Sequence, residues 1–157
     1  MSNLNDLKII SGGQSGTDRA ALDYALSHNI PCGGWCPAGR KAEDGIIPDK
    51  YPLRETASSD PSERTVLNVN SSDGLLIIWL SELDEGSRQT LDYAKKGKKP
   101  VYLAKQEDVL NPEEFRLWLD VNRIRLLNVA GPRESNDAGV YDYALRVLGS
   151  LLSKLKE

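Results

Sequence analysis

Short apolar runs separate longer amphipathic segments along the chain. Four of these runs predict β-strands, at residues 7–10, 75–80, 101–104 and 124–130. The run at 75–80 has no polar–apolar alternation, which is typical of a strand covered on both faces and favours a central position in a parallel sheet. A further strand is predicted at residues 30–36, where glycines weaken the pattern.

Helix signals fall between the predicted strands. Ser15-x-x-Asp18 is compatible with a capping box at the start of a first helix, and Asp60-Pro61 and Asn111-Pro112 place proline at the first position of two others. A further helix is predicted from Ser87 to Gly97. The last helix is predicted from apolar residues that repeat on one face: Val140, Ala144, Val147, Leu148, Leu151, Leu152 and Leu155.

The alternation of strands and helices predicts an α/β fold, a doubly wound parallel sheet of about five or more strands with helices on both faces. The length of 157 residues suits one domain spanning residues 1–157. The stretch from Pro37 to Ser59 is irregular and rich in Gly, Pro and charge. A loop of that length within a compact domain is usually functional or disordered.

Charge and composition restrict the classes of ligand. The net charge of −3 and pI of about 5.3 argue against a general nucleic-acid binder, although a local site on an acidic protein can still bind a small anion. No apolar run reaches the length of a membrane span, and the N-terminus has no signal-peptide pattern. We therefore expect a cytoplasmic protein without membrane contact.

The cysteines and the histidine give little indication of metal or nucleophilic chemistry. Cys32 and Cys36 are spaced C-x3-C, and His28 is the single histidine. A metal site usually needs four ligands, so two reduced thiols are the simpler interpretation in a reducing compartment. No nucleophile is paired with a base, and no catalytic residue is predicted.

The loop after the first predicted strand favours an anion site. Ligands of doubly wound sheets bind beyond the carboxyl ends of the strands, and a helix N-terminus following a glycine-rich turn attracts negative charge. The candidate binding residues here are Gly12, Gly13, Gln14, Ser15, Gly16, Thr17 and Arg19. The alternative is a tight strand-to-helix turn without a ligand.

Three later loops contain further candidates. Trp35 could stack on a flat ring, and Arg40 could pair with phosphate; the alternative is a solvated loop with a partly buried tryptophan. Gly86, Ser87 and Thr90 lie at a helix start, where an ordinary N-cap is the alternative. Arg133 follows a rigid Gly-Pro turn and could clamp a phosphate, or else form a surface salt bridge to Glu134 or Asp137.

Taken together, these segments resemble the molybdenum cofactor carrier proteins, within the Rossmann-like group that includes the cytokinin-activating, lysine-decarboxylase-like phosphoribohydrolases. The matching stretches are Ser11-Gly-Gly-Gln14, Gly16, Asp18-Arg-Ala-Ala-Leu22, Gly33-Gly-Trp-Cys-Pro37, Gly39-Arg40, Ala42-Glu-Asp-Gly45, Tyr51-Pro-Leu53, Glu55-Thr56, Arg64-Thr65, Asn68-Val69, Ser72-Asp-Gly74 and Gly131-Pro-Arg-Glu-Ser135. The chain departs from the pattern at Glu85-Gly86-Ser87, where a Gly-Gly-Thr turn is usual.

The resemblance implies a protein that binds, protects and delivers the molybdenum cofactor, a phosphorylated pterin-type anion, to apo-molybdoenzymes. It also implies a homo-oligomer, with a tetramer expected. It places Gly12 to Thr17 near the ligand's anionic groups, makes Arg19, Arg40 and Arg133 candidate charges, and puts Ser72, Asp73, Ser87 and Thr90 along the neighbouring edge.

Two other functions stay open at this level. One is a sensor of a nucleotide or an ADP-ribose-like ligand. The other is a phosphoribohydrolase-type enzyme, although Glu85-Gly86-Ser87-Arg88 lacks the Pro-Gly-Gly-x-Gly-Thr-x-x-Glu pattern of that group.

Overall fold

A computed structural model describes residues 6–105 and 110–153. Its strands and helices alternate along the chain as the apolar pattern predicts. In order they are β1 (Lys8–Ile10), α1 (Thr17–Ser27), β2 (Cys32–Gly33), β3 (Trp35–Cys36), β4 (Lys41–Ala42), β5 (Gly45–Ile46), β6 (Arg54–Glu55), α2 (Pro61–Asn70), β7 (Gly74–Trp79), α3 (Glu85–Lys96), β8 (Val101–Lys105), α4 (Pro112–Val121), β9 (Leu126–Ala130) and α5 (Val140–Leu152).

Five strands form one parallel sheet in the order β2-β1-β9-β7-β8. The predicted α/β class and the position of residues 75–80 are confirmed, since β7 pairs with both β9 and β8. From β1 the chain continues to β2 on one side, and from β7 it continues to β8 on the other, with β9 between them. This reversal of chain order leaves space beyond the carboxyl ends of β1, β9 and β7.

Apolar side chains cover both faces of the sheet. On one face, α1, α4 and α5 pack on a core that includes Leu76, Leu127 and Leu148. On the other face, α2 and α3 pack on a smaller core around Leu75 and Ile77. Every predicted apolar position of α5 from Val140 to Leu152 is buried; Leu155 lies outside the described residues.

The strand predicted at residues 30–36 is interrupted at Gly34. This glycine has a φ of +135°, and a Cβ atom there would collide with the carbonyl oxygen of Ser11. The break divides the segment into β2, which joins the main sheet, and β3, which pairs with β6 outside it. Between them and α2, residues 37–59 are mostly irregular and contain the small hairpin β4–β5.

The capping box predicted at Ser15 and Asp18 is wrong. α1 begins at Thr17, its N-cap is Gly16, and no side chain caps it. The Ser15 hydroxyl donates instead to the Glu43 carboxylate, and Asp18 faces Arg64. By contrast, Asp60 and Asn111 cap α2 and α4 with proline at the first turn, as predicted.

No helix within the described ranges is both long and apolar enough to cross a membrane.

Candidate functional site

A cleft opens beyond the carboxyl ends of β1, β9 and β7, on the face of the sheet covered by α2 and α3. The empty space in it is about 630 Å³, part of which is open solvent at its mouth. Its floor is formed by β9, and its walls by α2, α3 and the loop after β1. Six of the predicted binding residues line it: Gly12, Gln14, Gly86, Ser87, Thr90 and Arg133.

The rim of the cleft depends on glycines, because backbone and side chains approach one another closely there. A Cβ atom at Gly12 would lie 2.8 Å from Arg64 Nη1 and 3.0 Å from Asp18 Oδ2. A Cβ atom at Gly131 would collide with the carbonyl oxygen of Ile78. Glycine at position 12 therefore lets Arg64 and Asp18 approach the loop, and glycine at position 131 lets the end of β9 pack against Ile78.

Arg64 and Asp18 form a buried pair in the wall. Arg64 Nη1 donates to the Gly12 carbonyl at 2.8 Å and lies 3.9 Å from Asp18 Oδ2, with both side chains about nine-tenths buried. Burial raises the pKa of Asp18 to about 6, against the opposing effect of the Arg64 charge. Asp18 thus changes its charge close to neutral pH.

Asp84 controls the N-terminus of α3. Its Oδ1 atom accepts from the Ser87 backbone N–H at 3.0 Å and from the Ser87 hydroxyl at 2.7 Å. Its Oδ2 atom accepts from the Arg133 backbone N–H and from Asn136 Nδ2. Burial raises the pKa of Asp84, but the hydrogen bonds from Asn136 and Ser87 outweigh that effect, so the net pKa is lowered.

The helix predicted to start at Ser87 therefore begins at Glu85 with Asp84 as its cap. Glu85 is exposed and does not line the cleft. Its neighbour Asp84, one residue earlier, does line the cleft.

Arg133 carries a guanidinium that the protein holds only loosely. Its side chain is 39% exposed, and Nη1 lies 3.9 Å from Glu43 Oε1. The salt bridges considered with Glu134 and Asp137 do not form, because these carboxylates accept from backbone N–H groups of Gly139, Tyr141, Leu80 and Ser81. Arg133 is thus available to an anion at the rim.

Comparison with known proteins assigns a family to this architecture. A model of the circularly permutated YpsA SLOG family matches residues 9–152. The chain belongs to this family. It is also similar to the crystal structure of a "putative molybdenum carrier protein" from Syntrophus aciditrophicus SB. The two chains are 42% identical and superpose with a TM-score of 0.88, and the match covers 96% of this chain and 98% of the other. No curated protein sequence matches the chain.

In this SLOG-family chain, two predicted arginines are held by the protein itself. Arg40 donates to the carbonyls of residues 47, 48, 51 and 53. Arg19 donates to the Gly13 carbonyl and forms a two-pronged contact with Asp44. Neither lines the cleft, and the contacts that the structure gives both guanidinium groups are to the protein's own loops.

Ser72 and Asp73 lie at the opposite edge of the sheet from the cleft. They precede β7, whereas the cleft lies beyond the carboxyl ends of the strands. The Ser72 hydroxyl donates to the Val69 carbonyl, and Asp73 Oδ2 accepts from the Arg125 and Leu126 N–H groups. Both residues fix the amino edge of the sheet.

The other predicted residues support the loops rather than face the cleft. Thr17 is fully buried and donates to the Ile78 carbonyl. The Trp35 ring lies beside the Arg54 guanidinium, 5.9 Å from it. Gly13 has a φ of +79°, and Ser15 and Gly16 line a separate cavity with Arg19, Tyr51 and Tyr141.

Ten cleft residues were absent from the predicted set, and the polar ones among them include Asp18, Arg64, Asn68, Asp84 and Asn128. Arg64 and Asn68 are four residues apart on α2, a spacing that places them on one face, and both line the cleft. Asn128 is a polar residue within an otherwise apolar strand, and this pattern could have predicted a polar group on the floor of the cleft. The described residues contain no cluster of three or more His, Cys, Asp or Glu that could hold a metal ion.

Proposed function

We propose that this protein is a carrier that binds the molybdenum cofactor, a phosphorylated pterin-type anion, in the cleft between α2 and α3. The observation that carries the proposal is the 42% identity, over 96% of the chain, to a protein described as a "putative molybdenum carrier protein". The cofactor is cargo here, protected while bound and delivered to apo-molybdoenzymes.

The composition of the cleft supports this cargo. An anion at the rim would meet the exposed Arg133 guanidinium and the N-terminus of α3, with Arg64 in the wall. Two helices and the sheet enclose the space below, where a flat ring could be shielded from solvent. Asp84 and Asp18 limit how strongly an anion is held, which suits a ligand that must be released.

The same cleft could accept a nucleotide, so the test includes nucleotides as competitors. Purified protein is titrated anaerobically with molybdenum cofactor, with AMP and ADP-ribose added separately, and the complex is then offered to an apo-molybdoenzyme. We expect slower decay of the bound cofactor, little displacement by either nucleotide, and recovery of molybdoenzyme activity.

Two results would contradict the carrier proposal. Displacement of the cofactor by AMP or ADP-ribose would indicate a nucleotide sensor. Release of a free base from nucleoside monophosphates would indicate a phosphoribohydrolase. We also propose that the carrier is a cytoplasmic homotetramer, which sedimentation velocity tests through the mass of the particle.

A further inference from the structure

Asn128 is a buried polar residue on the floor of the cleft. It lies on β9, is 3% exposed, and lines the cleft. Its side-chain amide makes no hydrogen bond to any residue that the structure describes. Its polar atoms are not among those that are fully buried without a partner, so the amide faces the cleft, where water or a ligand can satisfy it.

The other buried polar side chains of the cleft already have partners. Asn68 accepts from the Trp35 N–H and donates to its carbonyl. Ser87 donates to Asp84, Thr90 donates to the Gly86 carbonyl, and Asp18 faces Arg64. Among the buried polar side chains of the cleft in the described ranges, Asn128 alone makes no hydrogen bond to the protein.

The position of Asn128 separates it from the charged groups at the rim. It pairs in register with Ile10 of β1 and Leu75 of β7, well inside the sheet. Gly131 lies three residues further on, which corresponds to about 10 Å along a strand. Arg133 follows beyond it. The cleft is therefore charged at its mouth and carries a neutral amide at its base.

We propose that Asn128 recognises the heterocyclic ring of the ligand. Its carboxamide pairs with adjacent donor and acceptor atoms on the edge of a pterin-type ring, while the phosphate stays at the rim near Arg133. A carboxamide presents one acceptor and two donors in a plane, which matches such a ring edge. The assignment rests on the proposed function for the identity of the ring.

The test compares a ring-bearing probe with a ring-free one. Binding of 6-hydroxymethylpterin monophosphate and of inorganic phosphate is measured by calorimetry for the wild type, Asn128→Ala and Asn128→Leu. We expect both variants to bind the pterin at least about tenfold more weakly, since a buried hydrogen-bonding pair is lost. Phosphate affinity should change by less than about twofold.

The alanine variant separates a lost hydrogen bond from a blocked cleft, since it leaves more space than the native residue. Asn122→Leu is the matched control, because Asn122 lies after α4 and away from the cleft. It should leave pterin binding unchanged. Thermal unfolding of Asn128→Leu should occur at the same or a higher temperature than in the wild type, because no native hydrogen bond is removed.

Each other outcome has a distinct meaning. Unchanged pterin affinity in Asn128→Ala, or an equal loss for pterin and phosphate, would overturn ring recognition by Asn128. Binding of AMP but not pterin by the wild type, with AMP affinity dependent on Asn128, would contradict the carrier function and leave ring recognition standing. Binding of phosphate with no ring-bearing compound would overturn both.

Discussion

Arg133 differs from the other two arginines predicted at the site in what its guanidinium contacts. Arg19 is bound by the Gly13 carbonyl and Asp44, and Arg40 by four carbonyls. Among the described residues, the one ion pair of Arg133 is with Glu43, at 3.9 Å. The partners of Arg40 lie 7 to 13 residues away in an irregular loop. The neighbouring sequence does not indicate these carbonyl partners. An arginine beside a glycine-rich loop is therefore predicted to bind phosphate whether or not the protein already holds its guanidinium.

Substitution of Arg133 by alanine should weaken ligand binding without affecting the fold. We expect a loss of about 1.5–3 kcal/mol for 6-hydroxymethylpterin monophosphate, the range for hydrogen bonds to charged groups. The free energy of unfolding should change by less than about 0.5 kcal/mol, as for most surface positions. Arg125→Ala, at the opposite edge of the sheet, is the control. An unchanged dissociation constant would remove Arg133 from the site.

Substitution of Arg40 by lysine should have the opposite effects, lowering stability and leaving ligand binding unchanged. A single ammonium cannot reach all four carbonyls that the planar guanidinium bridges. We expect the free energy of unfolding, measured in urea, to fall by about 2–3 kcal/mol, while the folded variant binds ligand normally. Equal stability of variant and wild type would show that these bonds contribute little.

Asp18 should give the protein a pH-dependent stability. Its folded pKa of about 6 lies above the ordinary value of 3.8, so its contribution is fully present below pH 4 and is lost as the pH rises through 6. Relative to the wild type, Asp18→Asn should therefore gain about 2–3 kcal/mol between pH 4 and pH 7.5. Urea unfolding at both pH values measures this difference. A constant offset would mean that Asp18 titrates normally.

At the level of secondary structure, the cap of α3 links stability to anion binding. Asp84 satisfies the N-terminal donors of the helix and adds a negative charge to the cleft. Asp84→Asn keeps an oxygen that can accept from Ser87, but it removes the charge and the acceptor for the Arg133 N–H and Asn136. We expect inorganic phosphate to bind about threefold to tenfold more tightly to this variant, because repulsion is lost at a helix N-terminus.

Asp84→Ala is the companion variant, since it also removes the cap. It should lose about 1–2 kcal/mol of stability, measured by thermal or urea unfolding, while Asp84→Asn loses less. Unchanged phosphate affinity in both variants would show that the anion does not approach α3.

Elements with local signals were predicted well from the sequence. The caps of α2 and α4 and the apolar face of α5 each depend on residues within one helix. The start of α1 and the break between β2 and β3 depend on distant contacts instead. The Ser15 hydroxyl donates to Glu43, and a side chain at position 34 would collide with the carbonyl oxygen of Ser11. Such constraints become visible only when the chain is folded.

At the scale of the whole molecule, the position of the cleft was predictable but its inner lining was not. The loops after β1, β7 and β9 meet at one edge because parallel strands end together. Ser72 and Asp73 were assigned to this edge by resemblance, although they precede β7. Arg64 and Asn128 were missed because their approach to the cleft depends on the strand order, which places β9 between β1 and β7.

The location of bound cargo tests the central claim most directly. Crystals grown anaerobically with molybdenum cofactor would be measured at the molybdenum absorption edge, where anomalous scattering marks the metal alone. We predict a single peak within the cleft between α2 and α3, with the ligand phosphate near Arg133 and the pterin ring near Asn128. A peak in the separate cavity beside Tyr51 and Tyr141, or an empty cleft in crystals of a protein that binds the cofactor in solution, would contradict the account.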